Sequence, residues 1–192
     1  MQSPINILTV AEYLEAEKSS DIRHEYIGGQ VFAMAGASEE HNLISTNIIA
    51  ILRPHLRGSS CRAFMSDMKV KVKVQNAEIL YYPDILVTCD SEDKERYFKT
   101  RPSLIIEVLS DSTETTDKRE KRINYQMLDS LQEYVLVYQN QIKVEVYRRE
   151  VADNWSMEVL GKDDKLRLDS IGLNLTMADI YEDINIIANL NL

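Results

Sequence analysis

Three observations predict an α+β fold whose core runs α-β-β-β-α-β around a mixed central sheet. Apolar residues recur at helical spacing over 39–57 and alternate at period two over 64–74. They then form three further short apolar runs, bounded by turn residues and separated by one polar helical segment.

Each element has a local reason. Thr9-Val10-Ala11-Glu12 has the spacing of a capping box, so a short helix starts there. In RHEYIGGQVFAM, Gly28-Gly29 supplies the turn between two β-prone runs, which reads as a hairpin. Ser38 is an N-cap, with Glu39 and Glu40 in the first turn where the helix dipole favours acids. Ile44, Ile48, Ile51, Leu52 and His55 then share one stripe of a helix over 39–57, and His41 falls on the same stripe. Met68, Val70, Val72 and Val74 alternate with Lys69, Lys71 and Lys73, the pattern of a half-buried strand. After the Gln75-Asn76 turn, a second strand is expected over 79–88, then a charged loop (90–101) and a third strand over 103–110. A polar helix over 115–128 leads to a fourth strand, 133–138. Hairpin-like segments 142–148 and 155–160 and a closing turn and helix in SIGLNLTMADIY complete the chain. No Pro/Gly-rich linker interrupts it, so residues 1–192 read as one domain: core 38–138, N-terminal helix and hairpin 1–37, C-terminal strands and closing helix 139–192.

Composition narrows the class. With 22 Lys+Arg against 31 Asp+Glu, the formal net charge is −9, which argues against a nucleic-acid partner on its face. The acid is concentrated at the ends, however. Residues 1–40 carry a balance of −5 and residues 150–192 a balance of −6, so the middle is net positive. Phosphate contacts need local rather than total positive charge, and residues 53–73 hold six basic side chains against Asp67 alone. No apolar run approaches the ~18 residues of a membrane span. The first residues lack the basic and apolar regions of a secretory signal. Two cysteines, Cys61 and Cys89, make no disulfide framework, and a reducing cytoplasm is the expected location.

Two acids break the local apolar rule. Glu107 interrupts Leu104-Ile105-Ile106-Glu107-Val108-Leu109, a run that otherwise reads as a strand buried on both faces. A carboxylate taken from water without a partner costs several kcal/mol, so something must compensate it. Asp84 follows Pro83, which cannot donate to a ladder and so marks an edge or bulge. Each acid alone reads as neutralised by Lys or Arg, or as a strand-end residue. Together, on neighbouring strands, they also suit a shared hard cation such as Mg²⁺ or Mn²⁺. Asp117, Lys121, Asn124, Tyr125 and Leu128 share a helix face that could bring an ammonium towards them; an exposed Asp117–Lys121 pair is the plainer reading.

In this order the residues become familiar. The stretches HEYIGGQVFAMAGASEEHNLI, SDMKVKV, YYPDILV, PSLIIEVLSDST, DKREKRINYQ and EYVLV resemble the Uma-two family of restriction-endonuclease-like proteins, within the PD-(D/E)XK nuclease superfamily. The likeness covers roughly residues 21–138, and IGLNLTMADIY extends it. The resemblance implies metal-dependent hydrolysis of phosphodiester bonds in DNA. Asp84 and Glu107 would then be metal ligands, with the Val108 carbonyl completing the set. The superfamily's lysine position is held by Leu109, and Lys121 stands where this family places a migrated one. Glu25 and His41 also match family positions. A hydrogen-bonded core histidine is the plainer reading of His41, and pairing with Arg or capping of the hairpin that of Glu25. Asp67 is a further ligand if its strand adjoins Asp84. Lys69, Lys71, Lys73, Arg53 and Arg57 are the candidates for flanking DNA phosphates. A homodimer is expected, since nucleases that cut both strands often pair two sites. Two rival readings remain: a nuclease fold that binds DNA without cutting it, and an interaction domain that binds no nucleic acid.

Overall fold

The computed structural model describes residues 7–110, 113–151 and 154–186. Asp111 and Ser112 of the LSDST stretch lie outside them. The first helix, α1 (Val10–Glu17), begins with the expected capping box, and β1 (His24–Ile27) and β2 (Gln30–Ala33) form the expected hairpin. Gly28 and Gly29 both have positive φ, 56° and 100°, which the tight turn requires. Helix α2 (Glu39–His55) follows its Ser38 cap and buries Ile44, Ser45, Ile48 and Leu52.

The chain departs from expectation at two strands. Instead of one strand over 64–74 there are two, β3 (Arg62–Met65) and β4 (Lys69–Val74), joined through Ser66 at φ 48°. Instead of one strand over 79–88 there are β5 (Ala77–Tyr81) and β6 (Ile85–Thr88). In both cases the halves belong to different sheets. The charged loop is also shorter than expected, because β7 (Phe98–Lys99) pairs with β4.

Beyond it lie β8 (Leu104–Leu109), then a helical segment in three pieces: α3 (Glu114–Thr116), a π-helical turn (Asp117–Lys121) and α4 (Arg122–Gln126). Strands β9 (Glu133–Tyr138), β10 (Val144–Arg149), β11 (Trp155–Leu160), β12 (Lys165–Leu168) and β13 (Leu173–Thr176) and helix α5 (Met177–Ile180) finish the chain.

A six-stranded sheet, ordered β11-β10-β9-β8-β6-β3, carries the predicted core. Strands β3, β6 and β8 are antiparallel neighbours, while β8 and β9 are parallel across the helical segment. The α-β-β-β-α-β order is therefore α2, β3, β6, β8, α4, β9, with the β4–β5 hairpin and β7 inserted. A second, five-stranded sheet is ordered β2-β1-β5-β4-β7. One face of the larger sheet packs Ile85, Val87, Leu104, Ile106 and Val108 against α2 and α5. Its other face, with Leu86, Ile105, Leu109 and Tyr134, packs with Tyr125 and Leu128 from the α4 region and with Val70, Val72, Ile79 and Tyr81 of the smaller sheet. Helix α1 covers that sheet's far side through Tyr13, Tyr26 and Leu80. Among the described residues no helix is long and apolar enough to cross a membrane. Cys61 and Cys89, just beyond the register that pairs Arg62 with Thr88, are joined by a disulfide; the expected absence of a framework thus becomes one cross-link.

Candidate active site

The break between β5 and β6 builds the site. Pro83 has no N–H, and the amides on either side of it are not spent on a ladder. The Tyr82 N–H donates to Glu25 Oε1 at 3.3 Å and the Asp84 N–H to Glu107 Oε2 at 3.1 Å. The Asp84 carbonyl accepts from the Ser66 N–H at 3.0 Å, so the irregular link between β3 and β4 is tied to the same point. Asp84 Oδ2 accepts from the Val108 N–H (2.7 Å) and lies 3.1 Å from His41 Nε2. The Val108 carbonyl also lies against the imidazole. His41 is thus held between Asp84 and the Val108 carbonyl, two of the three groups the resemblance implies as ligands, at the N-terminus of α2.

Glu107 faces α4, where the Tyr125 hydroxyl donates to Oε1 at 3.2 Å. Lys121 Nζ lies 2.9 Å from Glu25 Oε1, 3.3 Å from Asp117 Oδ1 and 3.7 Å from Glu107 Oε1, and stands 5.4 Å from the centre of the Tyr81 ring. The residue is only 7% exposed, and Asp117 2%, so the expected solvent pair is a buried one. A π-turn carries both residues. Its wider turn is closed by the Arg122 N–H on the Asp117 carbonyl, which also accepts from the Tyr134 hydroxyl at 3.0 Å.

Electrostatically the site is short of positive charge. Burial raises the Glu107 pKa well above its usual range; Lys121 opposes that, while Asp117 and Asp84 reinforce it. Asp117 is likewise raised, chiefly by burial, against the pull of Lys121. Burial alone would discharge Lys121, yet Glu107, Asp117 and Glu25 hold its pKa well above that of a free lysine. His41 follows the same logic: its burial is outweighed by Asp84, and its pKa rises.

The donor set suits a hard cation. Among the described residues no three His, Cys, Asp or Glu side chains are arranged as a ready metal cage. An ion here would therefore rest on the Asp84 and Glu107 carboxylates, the Val108 carbonyl and water, the partly hydrated binding that Mg²⁺ favours. Asp117 Oδ1 shares its one ammonium, Lys121, with Glu25 and Glu107, so the acids outnumber the positive charge that meets them.

Other sequence candidates lie elsewhere. Asp67 is exposed and pairs with Arg23, away from Asp84, because the Ser66 bend turns it outward. Lys69, Lys71 and Lys73 alternate with the inward Val70 and Val72, so they occupy the far face of the smaller sheet. There Lys69 is buried over the Tyr82 ring, and Lys71 pairs with Glu78. Arg53 is twelve residues along α2 from His41, about 18 Å at the helical rise, and Arg57 lies beyond the helix end. None of these five lines the cleft. Sequence reading put Tyr125 on the Lys121 face but gave it no role at Glu107, and it missed the pairing of Glu25 with Lys121.

A model of the Uma2 family, described as "Putative restriction endonuclease", matches residues 10–178. The chain belongs to the Uma2 family. A relative, "Uncharacterized protein slr1290" of Synechocystis sp., is 36% identical over 180 residues, 93% of this chain and 94% of its own. A second Synechocystis protein, "Uncharacterized protein sll1609", is 34% identical over 164 residues, 83% of this chain and 92% of its own. The crystal structure of a "putative nuclease belonging to DUF820" from Anabaena variabilis superposes with a TM-score of 0.71, covering 90% of this chain and 97% of that one at 21% identity. That likeness shows the fold. Within this Uma2 fold, the β5–β6 break, the end of β8 and the π-turn meet at one cleft.

Proposed function

We propose that this Uma2 chain is a Mg²⁺- or Mn²⁺-dependent endonuclease that hydrolyses phosphodiester bonds in DNA. The observation that carries the reading is the Lys121 ammonium, buried 3.7 Å from Glu107 Oε1, while Glu107 in turn holds the Asp84 N–H. Asp84, Glu107 and the Val108 carbonyl would hold the ion. Bound there, it would supply Lewis acidity on a phosphate oxygen and a water of lowered pKa.

The remaining steps belong to the protein. Lys121 stays an ammonium because its pKa is raised, so it serves to orient the attacking water and offset charge on the phosphorane-like transition state rather than to take a proton. His41 and the Val108 N–H fix the Asp84 carboxylate, and Tyr125 fixes that of Glu107. A twofold homodimer in the cytoplasm completes the proposal.

The test is nicking of supercoiled and linear DNA in Mg²⁺ or Mn²⁺, beside Glu107→Ala and Lys121→Ala. Loss of nicking in both variants is expected, and nicking that survives both overturns the reading. The second reading, DNA binding without cleavage, is favoured by Leu109, whose buried apolar side chain stands in the superfamily's lysine position. Salt-sensitive binding with no cleavage in any divalent metal would support it.

A further inference from the structure

The cleft, about 820 Å³, has two unlike walls. One is formed by Glu25, Asp84, Glu107, Asp117 and Lys121. The other is the end of β2 and the segment that follows it, Phe32-Ala33-Met34-Ala35-Gly36-Ala37, a continuous run without a charge. The strand register sets Phe32 directly opposite Glu25, so the ring stands on the same face of the smaller sheet as the carboxylate that holds Lys121. Side chains in that relation have Cβ atoms about 4.5–5.5 Å apart. Phe32 is 48% exposed, and every residue of β2 is exposed. A single exposed apolar residue is ordinary, but an apolar run forming one wall of a cleft otherwise lined mostly by charged and polar side chains is not.

The cations of the cleft point the same way. Among the described residues, Arg23 and Lys121 are the Lys and Arg side chains that line it, and each is already paired with an acid. The Lys69–Lys73 stripe and Arg53 and Arg57 lie elsewhere. A duplex tracked by its phosphates needs several free cations along both flanks. This cleft offers instead an exposed aromatic ring, and stacking on an aromatic side chain is how single-strand binders hold an unpaired base.

We propose that the base flanking the scissile phosphate is unpaired and stacks on Phe32, with Met34 beside it, so that the substrate is a single strand, a bulge or a frayed end rather than continuous duplex. The proposal rests on the nuclease reading and names its substrate class. Its experiment compares kcat/KM for a 20-mer single strand, the matching duplex and the duplex with a one-base bulge. Single strand and bulge should be cut at least about 10-fold faster than duplex. Phe32→Ala should lower the single-strand value about 10- to 100-fold, the weight of one base–aromatic contact, and bring the single-strand to duplex ratio near one. Phe32→Trp should preserve the ratio.

A binding arm separates the two readings. Phe32→Trp in a Glu107→Gln background should show indole quenching by a single strand, and none by an abasic strand of equal length. If wild type cuts nothing in any divalent metal, the nuclease reading falls, and the quenching still decides the base contact. Equal cutting of duplex and single strand, or equal quenching by the abasic strand, overturns the proposal. So does a change in sedimentation of Phe32→Ala with the discrimination unchanged, which would make the wall a self-association face.

Discussion

Two clusters of charge built around buried carboxylates lie on either side of one helical segment, and they follow opposite rules. Lys118 faces one and Lys121 the other. In the first, a single buried carboxylate, Glu145 on β10, is met by the Tyr138 hydroxyl (2.6 Å), Lys143 (2.9 Å), the Tyr147 hydroxyl (3.2 Å) and Lys118 (3.3 Å), while Lys118 also reaches the more exposed Glu114 (3.4 Å). Burial works against its charge, but these donors outweigh it and bring its pKa down to about 2. In the second, four carboxylates share one ammonium and one imidazole, and two of the four have raised pKa values. A buried acid surrounded by donors stabilises a fold, whereas a surplus of buried acids works against it and is retained where chemistry uses the negative charge.

The comparison breaks most sharply at the two lysines. Lys121→Met should cost about 3–5 kcal/mol of unfolding free energy, because it leaves Glu25, Glu107 and Asp117 buried without their ammonium. It should also lower DNA nicking by about 10²-fold or more, the weight of one electrostatic group at a transition state. Lys118→Met should cost about 1 kcal/mol, since Lys143 and two hydroxyls still hold Glu145, and should leave nicking within a few-fold. Urea unfolding and plasmid nicking of both variants decide it. Similar losses at both positions would mean the clusters are equivalent and the contrast empty.

Neutralising one acid in each cluster sharpens it further, because the signs should differ. Glu145→Gln should destabilise by about 1–3 kcal/mol, the range for charged hydrogen bonds. Glu107→Gln should abolish nicking yet leave stability unchanged or raise it by about 1–2 kcal/mol at neutral pH without divalent metal, since it relieves a buried like-charge excess. Urea midpoints compared at constant slope give the answer; a loss of stability in Glu107→Gln would show that its carboxylate is a structural partner of Lys121 above all.

Much of this contrast was legible in the chain, and what was not has physical causes. The Glu107 interruption and the Pro83-Asp84 break stand out because a buried carboxylate and a missing N–H violate strand rules within a few residues. The core order survived even though two expected strands proved to be four, because periodicity reports which residues face inward and not which sheet a segment joins. Ser66 at positive φ, and the amides of Tyr82 and Asp84 spent on Glu25 and Glu107, are long-range facts that no local pattern encodes. For the same reason the Lys69–Lys73 stripe was legible as a face but not as the face turned from the cleft. The π-turn under Lys121 has no sequence mark at all.

The acid limbs of the stability curve should separate the clusters next. A carboxylate whose folded pKa is lowered binds fewer protons in the fold than in the unfolded chain. Its contribution is present above the ordinary glutamate range and is lost as pH falls towards about 2. Glu107 and Asp117 have the opposite sign. Their folded pKa values are raised, so stability falls as pH rises from the ordinary carboxylate range through those values. Unfolding free energy measured from pH 3 to 8 should therefore fall less steeply on the acid side in Glu145→Gln than in wild type. In Glu107→Gln it should instead decline less on the neutral side. Identical pH profiles for the two variants would erase the distinction.

The smallest effect is the one most specific to the site. If the surplus of acid is held for a cation, Mg²⁺ should stabilise the folded state, and a ligand at 10 times its Kd contributes about 1.4 kcal/mol. For a chain of this length that is a rise in Tm of about 3–6 °C. Glu145→Gln should keep the rise in full, because its cluster has no acid to spare, and Asp84→Asn should lose it. The same titration with K⁺ at matched ionic strength separates binding from screening, since exposed charges respond to both salts alike. A rise that persists in Asp84→Asn would place the ion elsewhere on this acidic surface, and the surplus at the cleft would then need an occupant other than a metal.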